Sequence, residues 1–158
     1  MHLDALIIRP ATDADKEQVI ENQVASQNEE ASFHPSRQSG EAIKGVAWQM
    51  IYARHGVVLV AEHEGAIIGH VGGAHAHDPS PFFLPEWQHY ALIFDLFVLP
   101  EFRRHHVGAK LVEAMEERLR AAGAKTIRII ALSGNQAAQD LYADAGFRPY
   151  EIIMEKRV

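Results

Sequence analysis

The segment LPEFRRHHVGAKL, residues 99–111, joins a strand-like run to a helix-like run through a turn of basic and titratable side chains. The run before it, residues 89–99, is mostly apolar and rich in aromatic and β-branched residues, and Pro100 follows, which favours a long strand. After the turn, apolar residues recur every three to four positions from 107 to 122. This spacing predicts an amphipathic helix, which Gly123 ends. The segment is therefore a strand–turn–helix joint.

The turn of this joint has the features of an anion site. The first N–H groups of a helix have no partner within it, and the helix dipole makes that end positive. Gly108 keeps side-chain bulk away, and Arg103, Arg104 and His105 add groups that pair with phosphate oxygens. The pattern is neither that of a P-loop nor the three spaced glycines of a dinucleotide fingerprint. The residues alone leave two interpretations, a phosphate site or a basic helix start that faces water.

The remaining chain alternates strand-like and helix-like runs. Glu64-Gly65 predicts a hairpin, whereas the later strand–helix–strand order requires parallel pairing, so we predict an α/β (α+β) fold with a mixed sheet. Gly69, Gly72 and Gly73 predict a bulge or the close approach of another segment. The predicted strands are 5–9, 57–63, 66–74, 89–99, 125–132 and 148–158. The predicted helices are 13–27, 40–54, 107–122 and a short one that ends at Gly146. The apolar face of helix 40–54 is predicted to consist of Ile43, Val46, Ala47, Met50 and Ile51.

Composition narrows the class of protein. A chain of 158 residues, 47% hydrophobic and 23% charged, is typical of a single domain, here residues 1–158. No apolar run approaches the roughly 20 residues that cross a bilayer, and the N-terminus lacks a secretion signal, so we expect a cytoplasmic protein that binds no membrane. The absence of cysteine excludes disulfides and thiol nucleophiles.

Charge is divided unevenly along the chain. Residues 1–100 carry 5 Lys+Arg and 13 Asp+Glu, whereas residues 101–158 carry 10 and 8. A cleft lined by one sign of charge concentrates ligands of the other sign. The first part favours a cationic partner and the second an anionic one, unless the charges are merely spread unevenly over the surface. We expect no nucleic acid partner, because the chain is acidic and its one basic cluster is short.

Two stretches resemble the GNAT superfamily of acetyl-CoA-dependent N-acetyltransferases. They are DLFVLPEFRRHHVGAKLVEAMEERLRAAGAKTIRI, residues 95–129, and NQAAQDLYADAGF, residues 135–147. The family's pyrophosphate signature is Arg or Gln, two residues, Gly, one residue, then Gly or Ala, and it falls on residues 103–108. His106 stands where the first glycine is expected. Either this position has an ordinary negative φ or the loop is reshaped, and a protonated imidazole can itself donate to a phosphate.

The resemblance implies a GNAT-like sheet, splayed between its fourth and fifth strands, with the pantetheine arm of acetyl-CoA in the gap. Tyr142 matches the tyrosine that protonates the departing thiolate; its alternative role is a core aromatic. Asn135 matches a loop residue that bonds the cofactor; alternatively it caps a helix. The cofactor-binding residues implied are Phe97, Val98, Leu99, Arg103, Arg104, His105, His106, Val107, Gly108, Ala109, Asn135 and Tyr142.

Asp95, which interrupts the apolar run ALIFDLFV, is the candidate for a second catalytic group. An isolated charge in an apolar strand is costly to bury unless something pairs with it. Strand alternation predicts that Asp95 shares a face with Ile93 and Phe97, opposite Phe94 and Leu96. It would take the proton of the attacking amine or hold its positive charge. The alternative is a solvent-facing or salt-bridged strand residue.

His70, His75 and His77, with Asp78, form the densest group of potential metal ligands. His75 and His77 share one face of a strand and make at most a partial site. No cysteine and no His-Glu-x-x-His helix joins them. A polar set at the mouth of a substrate cleft explains them equally well, and no metal is expected.

The residues and the resemblance together predict an N-acetyltransferase that moves an acetyl group from acetyl-CoA to a primary amine, by direct attack and with Tyr142 as general acid. The acidic first part favours a small cationic metabolite as the acceptor. Two other functions stay open: a module that binds or senses acyl-CoA without transfer, and an acetyltransferase of protein N-termini or lysines. A homodimer is compatible with the resemblance.

Overall fold

The computed structural model describes residues 5–158. Its strands are β1 (Ile7–Pro10), β2 (Val57–His63), β3 (Ala66–His77), β4 (His89–Val98) and β5 (Ile127–Ile129). Its helices are α1 (Lys16–Phe33), α2 (Val46–Ala53), α3 (Val107–Ala121) and α4 (Gln136–Asp144), with 3₁₀ turns at Asp13–Asp15, Glu41–Ile43, Pro85–Trp87 and Pro100–Phe102. None of the helices in this described part is both long and apolar enough to cross a membrane.

The five strands form one mixed sheet in the order β1-β2-β3-β4-β5, which confirms the predicted fold class. The first four strands pair antiparallel, and β4 and β5 pair parallel. The parallel pairing joins Ala91–Ile93 to Ile127–Ile129 and stops there, while β4 continues to Val98. Beyond Ile93, β4 therefore has no parallel partner among the described residues, and we call this unpaired side the gap. The family resemblance implies a splay at this place.

The helices pack on both faces of the sheet through small residues of β3. A Cβ on Gly72 would lie 2.8 Å from Cδ1 of Ile51 on α2, and one on Gly73 would lie 2.6 Å from Sδ of Met115 on α3. Real Cβ atoms do not come this close, so a side chain at either position would force Ile51 or Met115 to shift, and glycine lets the helices approach without that adjustment. The predicted close approach is thus confirmed. We call the two sides of the sheet the α1/α2 face and the α3 face.

Helix α1 is longer than predicted and starts from an ion-pair network. The Arg9 guanidinium donates to both oxygens of Asp15, at 2.7 and 2.9 Å, and to Glu62 on β2 at 2.7 Å. The hydrogen bonds from Arg9 hold the pKa of the Asp15 carboxyl well below its ordinary range. These contacts fix the start of α1 against the edge of the sheet.

The predicted helix 40–54 is wrong in its start and in its buried face. Gly45 adopts a left-handed conformation, with φ 79°, between a 3₁₀ turn and α2. Trp48 and Ile51 are the buried residues of α2, whereas Val46 and Met50 are 43% and 47% exposed. The break at Gly45 explains the later start of the helix. The buried face was wrong because α2 carries apolar side chains on its exposed side as well as its buried side, so apolar spacing alone does not identify the buried one.

The predicted last strand, residues 148–158, is also wrong, because no strand follows α4 in the described chain. Ile152, Ile153 and Met154 are 77–88% exposed. Three consecutive apolar residues followed by Glu-Lys-Arg give no alternation that would bury one face of a strand. The fifth strand is likewise shorter than the predicted 125–132 and offers little edge for a sixth to pair with.

Candidate functional site

A β-bulge lies in β4 just beyond its last residue paired with β5. Gly72 pairs with Phe94 and His70 with Phe97, so that Asp95 and Leu96 together oppose one residue of β3. Asp95 has φ 58°, a left-handed conformation that is strained by about 1 kcal/mol in a non-glycine residue. Strain of this kind persists where surrounding contacts impose it, and it concentrates at functional sites.

The bulge changes the face that Asp95 occupies. Ile93 packs on the α3 face and Phe94 on the α1/α2 face, while the Asp95 carboxylate contacts Gln23 of α1. Asp95 therefore lies on the same side as Phe94 and opposite Ile93. The prediction from strand alternation is therefore wrong for Ile93 and Phe94, because the extra residue of the bulge reverses the face on which the following side chains lie. Its prediction that Leu96 lies opposite holds, since Leu96 packs against the α3-face cluster.

A buried polar cluster surrounds the Asp95 carboxylate. Nε2 of Gln23 donates to Oδ2 of Asp95 at 2.6 Å, and Nε2 of His70 lies 3.1 Å from the same oxygen. The His70 side chain is fully buried and that of Asp95 is 12% exposed. The ring N–H of His70 does not point along the line to Oδ2, so the pair is close without being a linear hydrogen bond. No Lys or Arg pairs with Asp95 within residues 5–158.

Gln23 was not among the residues predicted from the sequence, and His70 was predicted as part of a different group. In α1, Val19 and Gln23 lie one turn apart and are both buried. A glutamine on the buried face of a helix indicates a buried polar contact, and this pattern could have identified Gln23. His70 instead was grouped with His75 and His77. No three His, Asp or Glu side chains in the described chain are arranged to hold a metal, and the ring of His77 stacks on that of His89 at 4.4 Å.

The turn before α3 keeps a glycine-like backbone although it lacks the glycine. His106, the residue preceding α3, has φ 61°, and Arg104 has φ 63°. The alternative of an ordinary negative φ at His106 is therefore wrong. The N–H groups of Val107, Gly108 and Ala109 donate to no acceptor within the described residues, as expected at a helix start. Three donors are thus available at one end of the gap.

Gly108 and Arg103 have structural contacts in this turn. A Cβ on Gly108 would lie 3.2 Å from Cδ2 of Leu141, so the missing side chain lets α4 approach α3. Nε of Arg103 donates to the Val98 carbonyl at 2.8 Å, and its terminal nitrogen reaches Glu29 of α1 at 2.6 Å. The guanidinium of Arg103 is therefore already paired, whereas Arg104 is exposed.

Helix α4 carries the last two predicted site residues. Asn135 caps α4, because its Oδ1 accepts from the N–H of Ala138 at 3.1 Å, which is the alternative role given to it above. The Tyr142 ring packs edge-on against Phe147, with centroids 6.3 Å apart. Burial, together with the negative charge of Glu30, raises the pKa of the Tyr142 hydroxyl to about 12. Its phenol is thus a protonated group at neutral pH.

The chain is similar to known proteins of one family. A model described as the acetyltransferase (GNAT) family matches residues 22–147. A curated Archaeoglobus fulgidus protein, described as an uncharacterized N-acetyltransferase, is 35% identical over 91 residues, which are 58% of this chain and 59% of that protein. The chain thus matches less than two thirds of this relative.

Two solved structures share the fold. A mutant of a Bacillus halodurans protein superposes with a TM-score of 0.81 at 23% identity, covering 96% of this chain and 99% of that one. A Clostridium acetobutylicum protein, described as a predicted acetyltransferase and solved with acetyl-CoA, has a TM-score of 0.74 at 14% identity, covering 96% of both chains. At these identities the likeness is one of fold alone.

Proposed function

Because the chain belongs to the acetyltransferase (GNAT) family, we propose that it transfers the acetyl group of acetyl-CoA to the primary amine of a small cationic molecule. The observation that carries the acceptor class is the Asp95 carboxylate. It is mostly buried beside the gap between β4 and β5, and no Lys or Arg of the described chain neutralises it. A buried carboxylate of this kind is stabilised when a cationic ligand pairs with it.

The start of α3 suits the diphosphate of acetyl-CoA. Val107, Gly108 and Ala109 offer backbone N–H groups without partners in the described chain, and the helix dipole adds positive potential. Arg104 is exposed and supplies charge from the same turn. In the gap beyond Ile93, β4 has no parallel partner, and we place the extended pantetheine arm of acetyl-CoA there. These features support the binding of a nucleotide-linked thioester.

Asp95 is the residue that we assign to the acceptor amine. At neutral pH most primary amines are ammonium ions, which cannot attack a carbonyl carbon. The Asp95 carboxylate binds the ammonium and takes one proton from it. The neutral nitrogen then attacks the thioester carbonyl carbon, so that a C–N bond forms and the C–S bond breaks. Acetyl-CoA supplies the activated acetyl group for this step.

Tyr142 is the residue that we assign to the leaving thiolate. Its hydroxyl, with a pKa of about 12, is protonated at neutral pH and gives its proton to the sulfur as the C–S bond breaks. The second proton of the attacking nitrogen restores the phenol, directly or through solvent. The products are the N-acetylated amine and free CoA thiol, with one proton left on Asp95 to be released.

The proposed function is tested by the release of CoA thiol from acetyl-CoA across a panel of amines. We expect thiol release with small di- and polyamines or aminated sugars, and a kcat/KM about 100-fold lower in the Asp95→Asn variant. Acetylation of peptides alone would overturn the small-molecule assignment. Tight binding of acetyl-CoA, seen as a rise in Tm, without thiol release from any amine would favour an acyl-CoA-binding module instead.

A further inference from the structure

We propose that Gln23 and His70 are positioning residues that hold one oxygen of Asp95, Oδ2, so that the other oxygen, Oδ1, receives an N–H of the acceptor amine. This inference rests on the proposed function and names the acceptor end of that site. It places the amine on the α1/α2 face of the sheet, between α1 and the bulge of β4.

The two side chains converge on the same carboxylate oxygen. Nε2 of Gln23 donates to Oδ2 at 2.6 Å, and Nε2 of His70 lies 3.1 Å from that oxygen. No donor of residues 5–158 reaches Oδ1. A carboxylate that is bonded on one oxygen only has a fixed plane and a free acceptor with a defined direction. The free oxygen is the one that a ligand can use.

Burial makes this arrangement costly unless a ligand completes it. His70 is fully buried and Gln23 is 6% exposed. Nδ1 of His70 and Oε1 of Gln23 lack a hydrogen-bond partner in the described chain, and Nε2 of His70 has only its close contact with Oδ2 of Asp95. Buried polar groups without partners are rare, and each costs about 1–3 kcal/mol. These unpartnered polar atoms lie beside Asp95, whose backbone is left-handed and strained. Strained backbone and unpartnered buried polar groups are features of ligand-binding sites.

The amide of Gln23 adds a second acceptor beside Asp95. Its Nε2 is used on Oδ2, and its Oε1 is a buried acceptor without a donor among the described residues. A primary ammonium carries three N–H groups, one of which donates to Oδ1 of Asp95, and Oε1 of Gln23 can accept a second once a ligand displaces the side chains that cover it. A tertiary ammonium carries one N–H group and cannot donate to both oxygens. The site therefore favours primary and secondary ammonium ions over tertiary ones.

The first test compares two glutamines of the same helix. In Gln23→Leu the support of Oδ2 is lost, and we expect the KM of the amine to rise about tenfold or more while the Kd of acetyl-CoA stays within about twofold. Gln27 lies one turn later on α1, and its Nε2 bonds the Gln38 carbonyl instead. Gln27→Leu is thus the matched control, with an unchanged amine KM.

The second test asks whether a donor at position 70 is what matters. His70→Gln keeps an N–H donor near the place of Nε2, whereas His70→Leu keeps bulk without a donor. We expect amine kcat/KM in the glutamine variant within about fivefold of the parent, and a loss of about 30-fold or more in the leucine variant. His63→Gln, at a part-buried histidine whose Nδ1 has no partner among the described residues, leaves the amine KM unchanged. Circular dichroism melts establish that each variant is folded.

Equal amine KM values in Gln23→Leu and Gln27→Leu, with both variants folded, would overturn the inference. So would a His70→Gln variant as impaired as His70→Leu. A failure of the proposed function looks different, because the parent protein would then release no thiol with any amine. If His70→Leu does not fold, the two glutamine variants of α1 still decide the matter.

Discussion

Nε of Arg103 donates to the carbonyl oxygen of Val98 at 2.8 Å, which ties the turn before α3 to the end of β4. The same guanidinium reaches Glu29 on α1 and lies 5.4 Å from the centre of the Phe97 ring. The Arg103 side chain thus connects the turn before α3 to the end of β4 and to α1. Its neighbour Arg104 is exposed and has no such contacts in the described chain.

The two arginines are expected to differ when each is replaced by alanine. Arg103→Ala removes the tie and lowers the free energy of unfolding by about 1 kcal/mol. Arg104→Ala leaves stability unchanged and raises the Kd of acetyl-CoA about fivefold, an effect that shrinks in high salt. Urea unfolding and titration calorimetry measure the two quantities. The same loss of affinity in both variants, with no loss of stability in either, would contradict this division of roles.

The left-handed backbone of His106 makes a second prediction. Glycine adopts φ 61° without strain, whereas His105, which precedes it, has no positive φ. We expect His106→Gly to be more stable than His105→Gly by about 1 kcal/mol, because only the first substitution relieves strain. Urea unfolding of both variants checks this. Equal stabilities would mean that the turn is not strained at His106.

Tyr142→Phe tests the general acid. We expect kcat to fall about 100-fold or more while the Kd of acetyl-CoA changes less than about threefold. Tyr150, which is 62% exposed, gives the control variant Tyr150→Phe, with kcat unchanged. An unchanged kcat in Tyr142→Phe would assign the proton to another group.

The raised pKa of Tyr142 also predicts the alkaline side of the pH profile. A general acid works while it is protonated, and its contribution is lost only as the pH rises through about 12. We therefore expect no fall in kcat from Tyr142 ionisation up to about pH 10. A descending limb below pH 10 that disappears in Tyr142→Phe would show that the phenol ionises more easily than its burial implies.

Asp15 predicts how stability depends on acid. Its pKa is depressed in the folded state by the hydrogen bonds from Arg9, so its contribution is fully present above the unfolded pKa of about 4. The contribution is lost as the pH falls below about 4 toward the folded pKa. Asp15→Asn should lower the free energy of unfolding by about 2–3 kcal/mol at pH 7. Its difference from the parent should vanish at the acid end of a pH series, and a constant difference would contradict the assignment.

Much of the fold could be predicted because its signals are local. The hairpin at Glu64-Gly65, the β4–α3 joint and the closure of α4 at Gly146 depend on neighbouring residues and appear where expected. The family resemblance is likewise confirmed. The predicted last strand was wrong because it has no partner strand, and the predicted face of α2 was wrong because apolar residues lie on both its buried and its exposed sides.

The acceptor end of the site could not be predicted from local patterns. Gln23 and Asp95 are 72 positions apart, and no periodicity links them. The bulge that turns Asp95 toward α1 comes from pairing with β3, so strand alternation gave the wrong faces for Ile93 and Phe94 relative to Asp95. The sequence alone does not distinguish His70 from His75 and His77. Only the packing of β3 against β4 shows that His70 lies beside Asp95.

The central claim is that the N–H groups at the start of α3 bind the diphosphate of the thioester, and an NMR titration of backbone amides tests it directly. With CoA, the amide signals of Val107, Gly108 and Ala109 should show the largest shifts, and pantetheine, which lacks the diphosphate, should leave them in place. Binding of CoA that leaves these three amides unshifted, or equal shifts with pantetheine, would contradict the account.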